Sequence, residues 1–189
     1  MIAVGSEIPR RDSRFLRMAG RAMLRLLGWR VEGEIPNLRK LVIAVAPHTS
    51  NWDFVVGMAT MFALDLHLSF IGKHTLFKGP FAPLFRWMGG IPVDRSSPHG
   101  VVGDSVRAFE GVDRRVLAIA PQGTRSPVAH FRSGFLHIAR GANVPVLLAS
   151  LDYGTRTVRL GPLEQPGEDI EADLGRIEAF FGKVRGRNR

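Results

Sequence analysis

Leu41-Val42-Ile43-Ala44-Val45-Ala46-Pro47-His48-Thr49-Ser50-Asn51-Trp52-Asp53-Phe54 is the stretch whose reading decides the fold. Its first half is short, apolar and β-branched, the pattern of a strand buried on both faces. Pro47 ends the run, and an apolar segment of helical character extends from Phe54 to Phe70. His48 therefore falls where a strand gives way to a helix, on an exposed turn held by a rigid scaffold. On one continuous helix, His48 and Asp53 would point about 140° apart. With His48 in the turn and Asp53 in the first helical turn, the two side chains converge. Two readings then fit. Asp53 orients His48 as a general base, or Ser50 and Asp53 form a capping box and His48 is a plain turn residue.

The same alternation continues outward. Val101–Phe109 reads as a helix, Val116–Ala120 as a second buried strand, and Phe131–Ala142 as a helix closed near Gly141. Val144–Leu151 and Thr155–Leu160 are two more strands, and a last helix runs from about Asp169 to Gly182. Gly28–Asn37 is a turn-rich connection, Ile71–His74 a strand end or loop, and His67 a helix-face residue. Leu76–Met88 mixes Phe77, Phe81, Leu84, Phe85, Trp87 and Met88 with Pro80 and Pro83. It reads either as core packing or as the lining of an apolar groove. Strands separated by helices predict a single α/β domain, with a central, mostly parallel or mixed sheet flanked by helices. The expected divisions are an N-terminal helical segment over 1–38, the main domain over 39–182 and a basic tail over 183–189.

At 189 residues, 45% hydrophobic and 23% charged, the chain suits one globular domain. It has no cysteine, which excludes disulfides, thiolate metal sites and a cysteine acyl-enzyme. The net charge of +9 is concentrated at the ends. Arg10 to Arg30 holds seven arginines against one acid, and Lys183 to Arg189 holds four bases and no acid, so the body is near neutral. Ser13–Trp29 reads as a basic amphipathic helix, either lying on an anionic membrane surface or packed on the domain with a solvated basic face. The tail lacks the periodicity of an ordered element. No apolar run reaches the roughly 20 residues of a membrane span, and arginines interrupt the N-terminus, unlike a signal peptide. These features predict a cytoplasmic protein, soluble or peripheral on the cytoplasmic face of the membrane. No nucleic-acid motif or continuous basic stripe is present, so no nucleic acid is expected.

Three ordered blocks give the pattern a family. His48-x4-Asp53 after a strand resembles the signature of the glycerolipid acyltransferases, the 1-acylglycerol-3-phosphate acyltransferases among them. Gly89-Gly90-Ile91-Pro92-Val93-Asp94-Arg95 resembles that family's second block, and Ala120-Pro121-Gln122-Gly123-Thr124-Arg125-Ser126 its third. Val144-Pro145-Val146 resembles a weaker fourth, so the resemblance runs from about Leu41 to Leu151. It implies transfer of a fatty acyl group from acyl-CoA or acyl-carrier protein to a lysophospholipid hydroxyl, with His48 and Asp53 catalytic. It also implies substrate-binding roles for Lys73, Arg95, Gln122, Gly123, Thr124 and Arg125. Arg95 would bind the acceptor's phosphate; without the resemblance, Asp94-Arg95 reads as a surface pair. The third block normally carries Glu where this chain has Gln122, which bears on the acceptor's identity. No metal and no cofactor are implied, since the acyl thioester is a co-substrate. Two other readings use the same residues. His48 and Ser50 could make a serine-type lipid hydrolase, although the strained Gly-x-Ser-x-Gly turn is absent. The basic ends could serve a membrane-surface lipid-binding protein without catalysis.

Overall fold

The computed structural model describes residues 2, 4–93, 100–124 and 130–188. The elements run α1 (Arg14–Leu26), β1 (Arg30–Gly33), β2 (Lys40–Ala46), α2 (Asn51–Ala63) and β3 (Leu68–Lys73). A 3-10 turn (His74–Phe77), α3 (Ala82–Trp87), β4 (Gly90–Val93), α4 (Gly100–Arg107) and β5 (Arg115–Ile119) follow. The chain continues through α5 (Gly134–Gly141), β6 (Val146–Asp152), β7 (Thr157–Glu164) and α6 (Ile170–Phe181).

The strands form one seven-stranded sheet in the order β1-β7-β6-β2-β5-β3-β4. All neighbours are parallel except β6 and β7. β2 lies at the centre, and both its faces are covered, which explains its unbroken apolar sequence. Leu41 and Ile43 face α2 and Leu24 of α1, whereas Val42, Ala44 and Ala46 face α5 and α6. This is the expected single α/β domain.

Because β2, β5 and β6 are parallel neighbours, their carboxyl ends meet on one edge of the sheet. The segments leaving those ends carry His48, Gln122 and Tyr153. The crevice outside the carboxyl ends of parallel strands is the usual ligand site of open α/β sheets.

Several local readings need correction. The helix after the His48 turn starts at Asn51 and stops at Ala63, so Leu68–Phe70 are strand rather than helix. Asp65 at φ 59° makes the left-handed turn that separates the two, and His67 lies just beyond it, off the helix. Arg30–Gly33 is an edge strand rather than a turn-rich connection, paired with β7 through register that its own mixed sequence does not signal. β4 accommodates Pro92 because it too is an edge strand. α5 ends at Gly141 as expected but begins at Gly134 rather than Phe131, and the left-handed residue beyond its end is Asn143, not a glycine. In the segment read as core or groove, Phe77 is buried, but Phe81, Leu84 and Trp87 are exposed. The basic tail is ordered against the body. Arg185 O accepts the Tyr153 N–H at 2.9 Å, and Asn188 donates to Thr49 from its peptide N–H at 3.2 Å and its Nδ2 at 3.0 Å.

α1 crosses α2 at Gly20, where a Cβ would stand 2.4 Å from the Ala63 nitrogen and 2.7 Å from the Ala59 oxygen. Gly20→Ala must push the helices apart and is expected to cost about 1–3 kcal/mol. Urea unfolding should show a lower midpoint with an unchanged slope; an unchanged midpoint would mean that the crossing yields at no cost.

Candidate active site

Ser50 starts α2 as an extended N-cap, its Oγ accepting the Trp52 N–H at 3.2 Å. That places Asp53 at the third helical position, facing back over the turn. Its Oδ2 accepts the peptide N–H groups of Thr49 at 2.5 Å and Ser50 at 2.6 Å. The same Oδ2 stands 3.5 Å from Nδ1 of His48. Asp53's side chain is wholly buried, while that of His48 is partly exposed. The capping box and the His–Asp pair therefore coexist on one carboxylate.

The turn is tied to its neighbour strand by Gln122, a buried side chain whose Oε1 accepts the peptide N–H of His48. An amide oxygen can accept this bond from the same position as a carboxylate oxygen, though without its charge, so Gln is compatible with the geometry here. Gly123 takes φ 65°, a left-handed conformation that glycine adopts without strain. Its N–H is committed to Ala120 O at 3.1 Å. Gly123 and Thr124 line the cavity beside His48. Lys73 closes β3 opposite Val93, at the same edge of the sheet. Arg95 and Arg125 lie outside the described residues.

Two residues at the site escaped the sequence reading. Tyr153, the chain's one tyrosine, donates its hydroxyl to Oδ1 of Asp53 at 2.6 Å. Burial, and then this bond, push its phenol above the ordinary value, so Tyr153 stays protonated and donating through the neutral range. Arg132 packs its side chain over Gly123, within 3.0 Å of where a Cβ would sit, and joins the cavity lining. Tyr153 follows a strong strand pattern, but nothing local ties it to a residue one hundred positions away. Arg132 directly follows Phe131 at the start of the α5 reading and carries no motif of its own.

A cavity of about 840 Å³ opens at this site. His48, Asp53, Thr124 and Arg132 form its polar end. Apart from Thr60, the rest of its lining is apolar, from α2 (Phe54, Met58, Met61, Leu64), the sheet (Val45, Ala149, Leu151, Leu160) and α4 and α5 (Val101, Val102, Phe135, Ile138). None of Phe77, Phe81, Leu84, Phe85 or Trp87 lines it, so the groove is not built by the Pro80–Met88 segment. Among the described residues, no three His, Cys, Asp or Glu side chains cluster as metal ligands would.

A sequence model of the Acyltransferase family matches residues 29–150. That span includes His48, Asp53 and the third block, and ends before Tyr153. No curated protein matches the chain in sequence. Among solved structures, the 1-acyl-sn-glycerophosphate (LPA) acyltransferase PlsC from Thermotoga maritima superimposes with a TM-score of 0.62 at 21% identity, covering 92% of this chain and 81% of that one. At that identity the likeness is one of fold, and it agrees with the sheet described above. The family match extends over well more than half of the 189 residues, and the chain belongs to the Acyltransferase family.

Proposed function

We propose that the protein transfers a fatty acyl group from a thioester, acyl-CoA or acyl-carrier protein, to the hydroxyl of a lysophospholipid of the 1-acylglycerol-3-phosphate class. The observation that carries this reading is a His–Asp pair at the polar mouth of an apolar cavity. The lining follows α2 from Phe54 to Leu64, about 15 Å of helix axis. That is about half of a bilayer's ~30 Å hydrocarbon core, the reach of one membrane-length acyl chain.

In the reaction, Asp53 fixes the Nδ1–H tautomer of His48, leaving Nε2 to act as base. Nε2 takes the acceptor's hydroxyl proton as that oxygen attacks the thioester carbonyl carbon. The tetrahedral intermediate collapses with loss of thiolate, which His48 reprotonates, giving ester and free thiol. Thiolate is a good leaving group because a thiol is far more acidic than an alcohol. Arg132 in the cavity lining would supply positive charge for the substrates' phosphates, the role the family resemblance also gives Lys73, Arg95 and Arg125. Thiol release from a panel of both donor types, with and without lysophospholipid acceptors, tests the reading. Acceptor-dependent release supports it, and release without any acceptor would make the protein a thioesterase instead.

The substrate would be met at a membrane surface. No helix among the described residues is long and apolar enough to cross a bilayer. α1 exposes Phe15 (76%) and Leu26 (84%) beside Arg14, Arg17, Arg21 and Arg25. Arg11 links this helix's start to α3, with its guanidinium 5.5 Å from the Phe62 ring and 5.2 Å from that of Trp87, itself half exposed. Apolar side chains interleaved with arginines suit the anionic cytoplasmic leaflet, and the basic ends also suit an acidic carrier protein. Phe15→Ser with Leu26→Ser is expected to weaken flotation with phosphatidylserine-containing vesicles at least tenfold, since each apolar side chain contributes about 1.5–3 kcal/mol when buried. Wild-type binding should fall with added salt. Undiminished flotation of the double variant would remove α1 as the docking element.

A further inference from the structure

Asp53 receives donors from two directions. Thr49 and Ser50 hold Oδ2 through short peptide hydrogen bonds that any residue at those positions would supply. Oδ1 is held by a side chain, the Tyr153 hydroxyl at 2.6 Å. Tyr153 is itself well fixed. Its ring meets Trp29 edge-on at 4.8 Å, its N–H is bound by Arg185 O, and the Arg187 guanidinium lies 5.9 Å from its ring and 5.1 Å from that of Trp52. The ordered tail thus closes over the tyrosine, which in turn reaches the carboxylate facing His48.

We infer that Tyr153 is a positioning residue for the His48–Asp53 pair: its hydroxyl draws charge to Oδ1 and so limits how tightly Oδ2 holds the imidazolium. This rests on the acyl-transfer reading for its kinetic consequence, though not for its electrostatics. A carboxylate that binds His48⁺ too tightly keeps the base protonated at neutral pH. Removing one charge-assisted donor from a buried oxygen concentrates negative charge on the other, which faces His48. Gln122 is neutral and bonded to the His48 peptide. The Asp152 carboxylate is turned to Gly154 N and Thr155 Oγ1, both at 2.8 Å. The Arg187 guanidinium lies over the Tyr153 ring and also contacts its hydroxyl, partly opposing the upward push on the phenol, and Arg132 lines the same cavity as His48.

Two substitutions at this one residue move the charge in opposite directions. In Tyr153→Phe the acidic limb of the kcat/KM profile should rise by roughly one pH unit, the size of one charge-assisted hydrogen bond. Turnover near pH 7 should fall up to about tenfold, with the acceptor's KM within about twofold. Because the chain has a single tyrosine, growth on 3-fluorotyrosine alters only this phenol. Its greater acidity strengthens the donor and should lower the limb. Titrating His48 by NMR in substrate-free protein should show the same opposite shifts. If turnover is absent but the NMR shifts appear, the acyl-transfer reading fails and the role of Tyr153 stands. A limb and a His48 titration unmoved in both folded proteins, or moved down in Tyr153→Phe, would overturn the inference.

Discussion

His48→Ala is expected to lower kcat for acceptor-dependent thiol release by about 10²- to 10⁴-fold, the range over which positioned general bases act. The fold should survive, because what anchors the turn at this position is main chain. The His48 peptide N–H is bound by Gln122, and the Asp53 bonds to Thr49 and Ser50 do not involve the imidazole. The His48 side chain is partly exposed at the cavity mouth, so its removal leaves no sealed void. Unfolding free energy should change by less than about 1 kcal/mol. KM for the thioester should change little, since the apolar lining that would hold the acyl chain is untouched. Full turnover in a folded His48→Ala protein would leave no base at this site, and the proposed chemistry would have to be abandoned.

How much of this was legible beforehand depends on the range of the forces involved. β2, β5 and β6 announce themselves because burial on both faces demands unbroken apolar sequence. α2 announces its start because a cap is a local device, Ser50 and Asp53 being three residues apart. β1 and β4 were not legible, since edge strands are fixed by a neighbour's ladder and need no pattern of their own. The division of α2 from β3 was missed for a related reason: apolar residues continue from Phe54 to Phe70, and the break is a single left-handed residue, Asp65. At the site, short motifs single out His48, Asp53 and Gln122, which the fold brings together. They do not single out Tyr153 and Arg132, because the relation of these two to Asp53 and Gly123 exists only once β6 lies beside β2 and the α5 segment folds back on β5.

Asp53→Asn is the variant that separates the two jobs the sequence left in competition. One carboxylate both caps the helix and faces His48, so the test must ask which loss follows from which. Asparagine is nearly isosteric, and its carbonyl can stay on the Thr49 and Ser50 N–H groups while its amide turns to Tyr153, whose hydroxyl oxygen can accept. The capping geometry survives, weakened by loss of charge-assisted bonds and of a negative charge at a helix N-terminus, about 1–2 kcal/mol together. What does not survive is the anion 3.5 Å from His48 Nδ1. Without it the imidazolium that forms during proton transfer has no counter-charge, and kcat should fall by about 10²-fold or more. Ser50→Ala supplies the contrast. It removes the cap to Trp52 and costs about 1 kcal/mol, but leaves Asp53 facing His48, so turnover should stay within about twofold. If Asp53 were only a cap, the two variants would lose similar stability and both would keep their activity. A stability loss of similar size beside activities differing a hundredfold is the result that makes Asp53 part of the chemistry.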